Sequence, residues 1–135
     1  MPPIEQVVVS PLSRAIQTAQ NFFAKDQVPE TPFVCIESCR EILGWHTCDK
    51  QRSVSELQLK FPDVDFSAIK SEDDTLWTLT HREKEFLLEL FNEIPEKNVA
   101  VVTHSGFMGS VCAVVLGVRI HPANCEVIPL VLEAI

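Results

Sequence analysis

The sequence predicts an α/β layered fold with a mainly parallel sheet. Three observations carry that expectation. Short runs rich in valine, Gln6 to Ser10 and Val99 to Thr103, show no polar alternation, as suits strands covered on both faces. Segments with apolar residues at helical spacing separate them, and strands alternating with helices imply crossover connections. The chain has 135 residues, 46% of them apolar and 22% charged, enough for one domain with a core that needs no obligatory staple.

The elements follow in order. After QVVVS, residues Leu12, Ala15, Ile16, Ala19, Phe22 and Phe23 recur at helical spacing with Pro11 just before them, so a helix follows the first strand at once. Phe33 to Ile36 is a second short strand. Ser53-Val54-Ser55-Glu56 has the form of a capping box opening a helix through Phe61 that Pro62 ends. Thr80-His81-Arg82-Glu83 repeats that form, and Phe86, Leu87, Leu90, Phe91 and Ile94 are the apolar stripe of a longer helix stopped at Pro95. Val99 to Thr103 is read as a buried strand, His104-Ser105-Gly106 as a turn, and the apolar run beyond as a helix ending near Gly117. Glu126 to Leu132 is a last strand, demoted to an edge or bulge because Pro129 donates nothing to a ladder.

Composition narrows the function. A formal charge of −8 argues against general affinity for nucleic acid or an anionic membrane. An anionic ligand would need a local cluster of arginine and histidine. The run from Asn98 to Val118 carries no formal charge, and a bilayer span takes roughly 20 apolar residues. Thr103-His104-Ser105-Gly106 in its middle spoils it as a span, since hydrocarbon would leave these polar groups unsatisfied. Five cysteines without a CxxC pair, and an N-terminus without a signal-peptide pattern, suit a reducing, cytoplasmic setting.

Two strand-to-helix turns carry the candidate chemistry. Ser10-Pro11-Leu12-Ser13-Arg14 sets a guanidinium in the first turn of a helix, and Thr103-His104-Ser105-Gly106 sets an imidazole at the end of a strand. Helix starts present free N–H groups to an anion, and arginine offers a fork of donors that fits phosphate oxygens. A cation at a helix start wants an anionic partner. Spacing alone leaves open whether that partner of Arg14 is a ligand or a carboxylate, and whether His104 is a site residue or a satisfied structural histidine.

The run VVVSPLSRAIQTA, Val7 to Ala19, resembles the second signature of the histidine phosphatase superfamily, and VAVVTHSGFM, Val99 to Met108, resembles its distal-histidine signature. Glu37 to Ser67, Glu72 to Trp77 and His121 to Glu126 are similar to the phosphoglycerate mutase-like branch. The resemblance covers almost the whole chain in order. It implies a three-layer sandwich, and phosphomonoester hydrolysis or phosphoryl transfer through a phosphohistidine. It also implies that Arg14 and His104, with Ser105 in the same turn, bind phosphate, and that His104 polarises the phosphoryl group. Glu41 looks like the general acid, with Glu37 the runner-up. A loop carboxyl beside an anion tends to keep a proton to give. Arg40 and Arg52 are candidate substrate contacts, with two solvated arginines as the plain alternative.

One family motif does not occur in the sequence. The attacking histidine belongs to an Arg-His-Gly turn on the family's first strand, and no Arg-His or His-Gly pair occurs here. His46, His81 and His121 are no evident substitutes. The expectation is therefore a single, N-terminally truncated domain lacking that strand, binding inorganic phosphate or a phosphorylated small molecule with little turnover. Contacts to the phosphoryl oxygens would leave weak residual catalysis. A non-catalytic, phosphate-sensing regulatory module is the alternative. The missing strand should open an edge along Val99 to Thr103, filled by the last strand moving in or by a second copy of the chain. No cofactor or metal is expected. Cys35, Cys39, His46 and Cys48 have zinc-compatible types, but their C-x3-C-x6-H-x-C spacing is not a usual closed site.

Overall fold

The computed structural model describes residues 3–23, 32–41, 52–72 and 82–133. Four strands and four helices are assigned among them: β1 Gln6–Val9, α1 Ser13–Phe22, β2 Phe33–Cys35, α2 Val54–Lys60, β3 Val64–Asp65, α3 Glu83–Glu93, β4 Val99–Val102 and α4 Ser105–Leu116. A 3-10 turn, Glu37–Cys39, follows β2. The strands form one sheet in the order β3-β2-β1-β4, every neighbouring pair parallel.

Alternation along β1 explains the layers. Val7 and Val9 point to one face, where Ile16 and Ala19 of α1 and Leu57 of α2 meet them with Phe61, Phe66 and Ile69. Val8 points to the other, against Ile36, Phe86 and Ile94 on the α3 side and Phe107 and Val111 of α4. Phe86 and Phe107 meet edge to face with centroids 5.3 Å apart. Val7, Val8 and Val9 are at most 1% exposed, so β1 is covered on both faces as its unbroken apolar run requires. The expected three-layer α/β arrangement is present.

Register is fixed from both ends. The Glu5 carboxylate accepts from the N–H groups of Lys97 (2.9 Å) and Asn98 (2.8 Å), pinning the entry to β4. Gln6 pairs with Val99 and Val9 with Val102, and the Ser10 N–H donates to Val102 O at 3.1 Å. The Gln6 amide donates to Pro32 O at 2.9 Å and ties β1 to the start of β2. The Ser53 hydroxyl accepts from Glu56 N at 3.3 Å, so the expected capping bond opens α2. Gly117 ends α4 in the left-handed region, φ 73°, as its sequence position foretold.

Three expectations need correction. Helix α3 starts at Glu83 with Arg82 as N-cap and no side-chain cap bond, later than a box headed by Thr80 would place it; Thr80 and His81 lie outside the described residues. Strand β4 is only half-buried throughout, since among the described residues β1 is its one neighbour in the sheet. Glu126 to Leu132 contains no strand and does not move in beside β4. Pro129 has no N–H to offer a ladder, and Ala123 to Glu126 closes instead into a local turn through Glu126 N to Ala123 O at 3.2 Å. No described helix is long and apolar enough to cross a membrane.

Candidate functional site

Parallel packing places the ends of β2, β1 and β4 side by side, and the segments leaving them carry the candidate residues. From β2 comes Ile36 to Glu41, from β1 Ser10 to Arg14, and from β4 Thr103 to Gly106. Ligands of open α/β sheets bind beyond these carboxyl ends.

Two of the three segments are joined by a side-chain bond. His104, 8% exposed, sets Nε2 2.8 Å from the hydroxyl of Ser10. Ser10 Oγ also takes a long contact from Leu12 N, 3.4 Å, at the entry to α1. Four residues past Ser10, Arg14 is exposed in the first turn of α1. Neither α1 nor α4 has a side-chain cap or an acidic residue in its first turn, so two helix starts with positive dipole ends open from adjacent strands. Ser105 is exposed as the first residue of α4.

The third segment brings the carboxylate. A Cβ built on Gly106 would collide with Glu41 Oε1 and lie 3.1 Å from its Cδ, so the Glu41 carboxyl rests against the first turn of α4, two residues from His104. The segment is held by donors from elsewhere. Thr103 Oγ1 donates to Cys39 O. Arg82, 2% exposed, donates from Nη2 to Arg40 O at 3.2 Å and Glu41 O at 2.7 Å. Ser38 donates its hydroxyl to the Glu89 carboxylate of α3. Burial pushes the Cys39 thiol well above its ordinary range, and it donates to Ile36 O at 3.1 Å, so it is a packing group here.

Arg14, Ser105, Glu41 and His104 thus lie on adjoining segments at one edge of the sheet. Arg52 is solvated, and its guanidinium faces Glu56 at 3.9 Å across one helical turn. Arg40 is 1% exposed, so the solvated reading fails for it. Glu37 is half-buried in the 3-10 turn. His46, Cys48 and His81 lie outside the described residues, and His121 is exposed in the segment after α4. No three His, Cys, Asp or Glu side chains gather as a metal group among the described residues. Surface concavities of about 320 Å³ beside residues 120–129 and about 250 Å³ between β2, β3 and α3 lie away from the cluster. Residue types alone do not single out Ser10, Arg82 and Thr103. Hydroxyls are common, and the acceptors of Arg82 are main-chain carbonyls some forty positions away.

The chain is similar to known proteins over most of its length. The family model described as "Histidine phosphatase superfamily (branch 1)" matches residues 2–131. A phosphoglycerate mutase-like protein of Arabidopsis thaliana is 32% identical over 91% of this chain and 61% of its own length. Phosphoglycerate mutase-like protein 1 of the same plant is 40% identical over 78% of this chain and 49% of its own length. A probable phosphatase of Schizosaccharomyces pombe is 26% identical over 76% of this chain and 51% of its own. The chain spans between about half and three-fifths of the length of these relatives. No solved structure matches.

Proposed function

The chain belongs to branch 1 of the histidine phosphatase superfamily, and from that premise we propose that these 135 residues bind inorganic phosphate or a small phosphomonoester where β1 and β4 end. Arg14, His104 and Ser105 hold the phosphoryl oxygens, and Glu41 is the proton donor to a leaving oxygen. The observation that carries this reading is the 2.8 Å contact between His104 Nε2 and Ser10 Oγ, which sets the imidazole at the turn that leads into Arg14. A guanidinium supplies paired donors to two phosphate oxygens, and the helix starts add N–H groups.

Turnover by these residues alone is proposed to be weak. Displacement through a phosphohistidine forms an N–P bond as the P–O bond to the leaving group breaks, and the sequence given holds no Arg-His-Gly turn to supply the nitrogen. Electrostatic contacts to the phosphoryl group still lower the barrier somewhat without a nucleophile. The second reading, a phosphate-sensing module without turnover, is favoured by the same missing motif.

The experiment is a titration with inorganic phosphate followed by amide NMR, beside a turnover assay with an aryl phosphate, on the wild-type chain and on Arg14→Ala and His104→Ala. Shifts centred on residues 10–14 and 103–107, weakened in both variants, support the site. A slow rate that falls in His104→Ala supports residual catalysis, and binding with no rate supports the module. Unchanged spectra at millimolar phosphate defeat both readings.

A second copy of the chain is the proposed macromolecular partner. Asn98 O and Val102 O bond to β1, so by strand alternation the main-chain groups of Val99 and Val101 face away from it. This edge lies in a stretch without formal charge on a chain of charge −8, the place where like-charge repulsion between copies is least. Val101→Pro removes one outward N–H without touching the β1 ladder. A dimer in sedimentation that dissociates in this variant supports the pairing, and a monomer at every concentration defeats it.

A further inference from the structure

Three successive carbonyl oxygens, those of Cys39, Arg40 and Glu41, each accept a side-chain donor from a distant part of the chain. Thr103 serves the first and Arg82 the other two. Each carbonyl thus has the one donor it needs, and a water could have served as well. What the arrangement adds is direction. Thr103 is the residue before His104, so its bond ties the Glu41 segment to the strand that carries the imidazole. Arg82 closes the other side with a planar, always-charged group that is almost entirely buried. The Glu41 side chain reaches Gly106, where the absence of a Cβ makes room for the carboxyl.

We propose that Arg82, assisted by Thr103, is a positioning residue: acting through the main chain of residues 39–41, it sets the Glu41 carboxyl against the first turn of α4 beside His104. This deepens the phosphate reading above and rests on it for its consequence, though not for its geometry. A carboxylate so placed sits close to where a phosphate would bind, and its charge opposes the ligand. Arg82 thereby governs how strongly phosphate binding depends on Glu41, without touching phosphate itself.

The geometry is tested without any ligand. In the wild-type chain, nuclear Overhauser contacts join the Glu41 side chain to Gly106 Hα. Arg82→Lys keeps the charge but loses the planar fork, and Thr103→Val keeps the shape but loses the hydroxyl. Both variants should weaken these contacts while those between Phe86 and Phe107 persist. Arg82→Lys is the larger change, and Thr103→Val decides the matter if the lysine variant fails to fold. Undiminished Glu41 to Gly106 contacts in a folded variant overturn the proposal.

The consequence is tested with inorganic phosphate at pH 7. Glu41→Gln should tighten binding about fivefold, as expected for removing one nearby, partly screened charge. Arg82→Lys should tighten it by part of that factor, and should change nothing further in the Glu41→Gln background. An equal effect in both backgrounds marks Arg82 as merely structural and overturns the positioning role. If the wild-type chain binds no phosphate, the functional reading fails, while the Overhauser contacts still decide the geometry.

Discussion

Replacing Gly106 by alanine separates the Glu41 contact from the stability of α4. Gly106 lies in the helix, and the positive-φ glycine among the described residues is Gly117, so alanine at 106 meets no backbone strain. Alanine there should gain up to about 1 kcal/mol of helix propensity over glycine, less near a helix start. Against that gain, the new methyl group collides with Glu41 Oε1 and crowds Cδ at 3.1 Å, and the three nearest atoms it meets outside its own helix turn all belong to the Glu41 side chain. The carboxyl must rotate away, giving up contacts of a charged group worth about 1–2 kcal/mol. The two terms nearly cancel, so Gly106→Ala alone should change stability by no more than about 1 kcal/mol. In a Glu41→Ala background only the helix gain remains. Urea unfolding of the four chains therefore yields a coupling of about 1–2 kcal/mol between positions 41 and 106, equivalent to several degrees in midpoint temperature. Equal effects of Gly106→Ala in the two backgrounds would refute the reasoning, since the carboxyl would then not be resting on the helix.

Gly117→Ala places a Cβ on a residue at φ 73°, with nothing within 4 Å to crowd it, and should cost about 1 kcal/mol through backbone strain alone, read as a lower urea midpoint at unchanged slope. The Asp65 carboxylate accepts from Ser67 N at 2.9 Å, and bonding to Ser67 holds its pKa below the usual aspartate value. A depressed folded pKa adds stability above the unfolded value of about 3.9 and loses it as pH falls through the folded one. Asp65→Asn should therefore lower stability at pH 7 and flatten the acid limb below about pH 4, checked by melts across that range. Burial raises the thiol pKa of Cys35, Cys39 and Cys112, whereas Cys125 is exposed. At pH 8 a thiol reagent should label Cys125 in the folded chain and reach the three buried thiols only on unfolding, as peptide mass mapping will show.

Legibility in the sequence followed the reach of each interaction. The β1 triplet Val7-Val8-Val9, the Ser53 cap and the Gly117 stop are written in neighbouring residues, and each was found where the local pattern placed it. Strand β3 is two residues long, too short to show any period, and went unforeseen with the 3-10 turn before Arg40. Arg14, Glu41 and His104 were marked by family-like motifs. Ser10 and Thr103 lie inside the same motifs, but their bonds across the sheet ends were not foreseen, because a hydroxyl in a turn carries no signal of its distant partner.

The misreading of β4 shows why the site and the sheet edge are separate questions. An unbroken apolar run reports that both faces of a strand are covered, and Val99 to Val102 do contribute to both clusters, Ala100 and Val102 to one and Val99 and Val101 to the other. It says nothing of in-plane neighbours, which are set by main-chain groups every residue shares. The same blindness applies to Arg82, whose partners are carbonyls. Exposure of β4 and the clamping of Glu41 are therefore both main-chain facts that side-chain patterning cannot encode. Among the described residues the open edge bounds the sheet beside His104, while the bonded carbonyls of residues 39–41 lie on the other side, next to the Glu41 carboxylate. A ligand entering between them would meet a cationic and helix-start surface from β1 and β4 and a fixed carboxylate from β2.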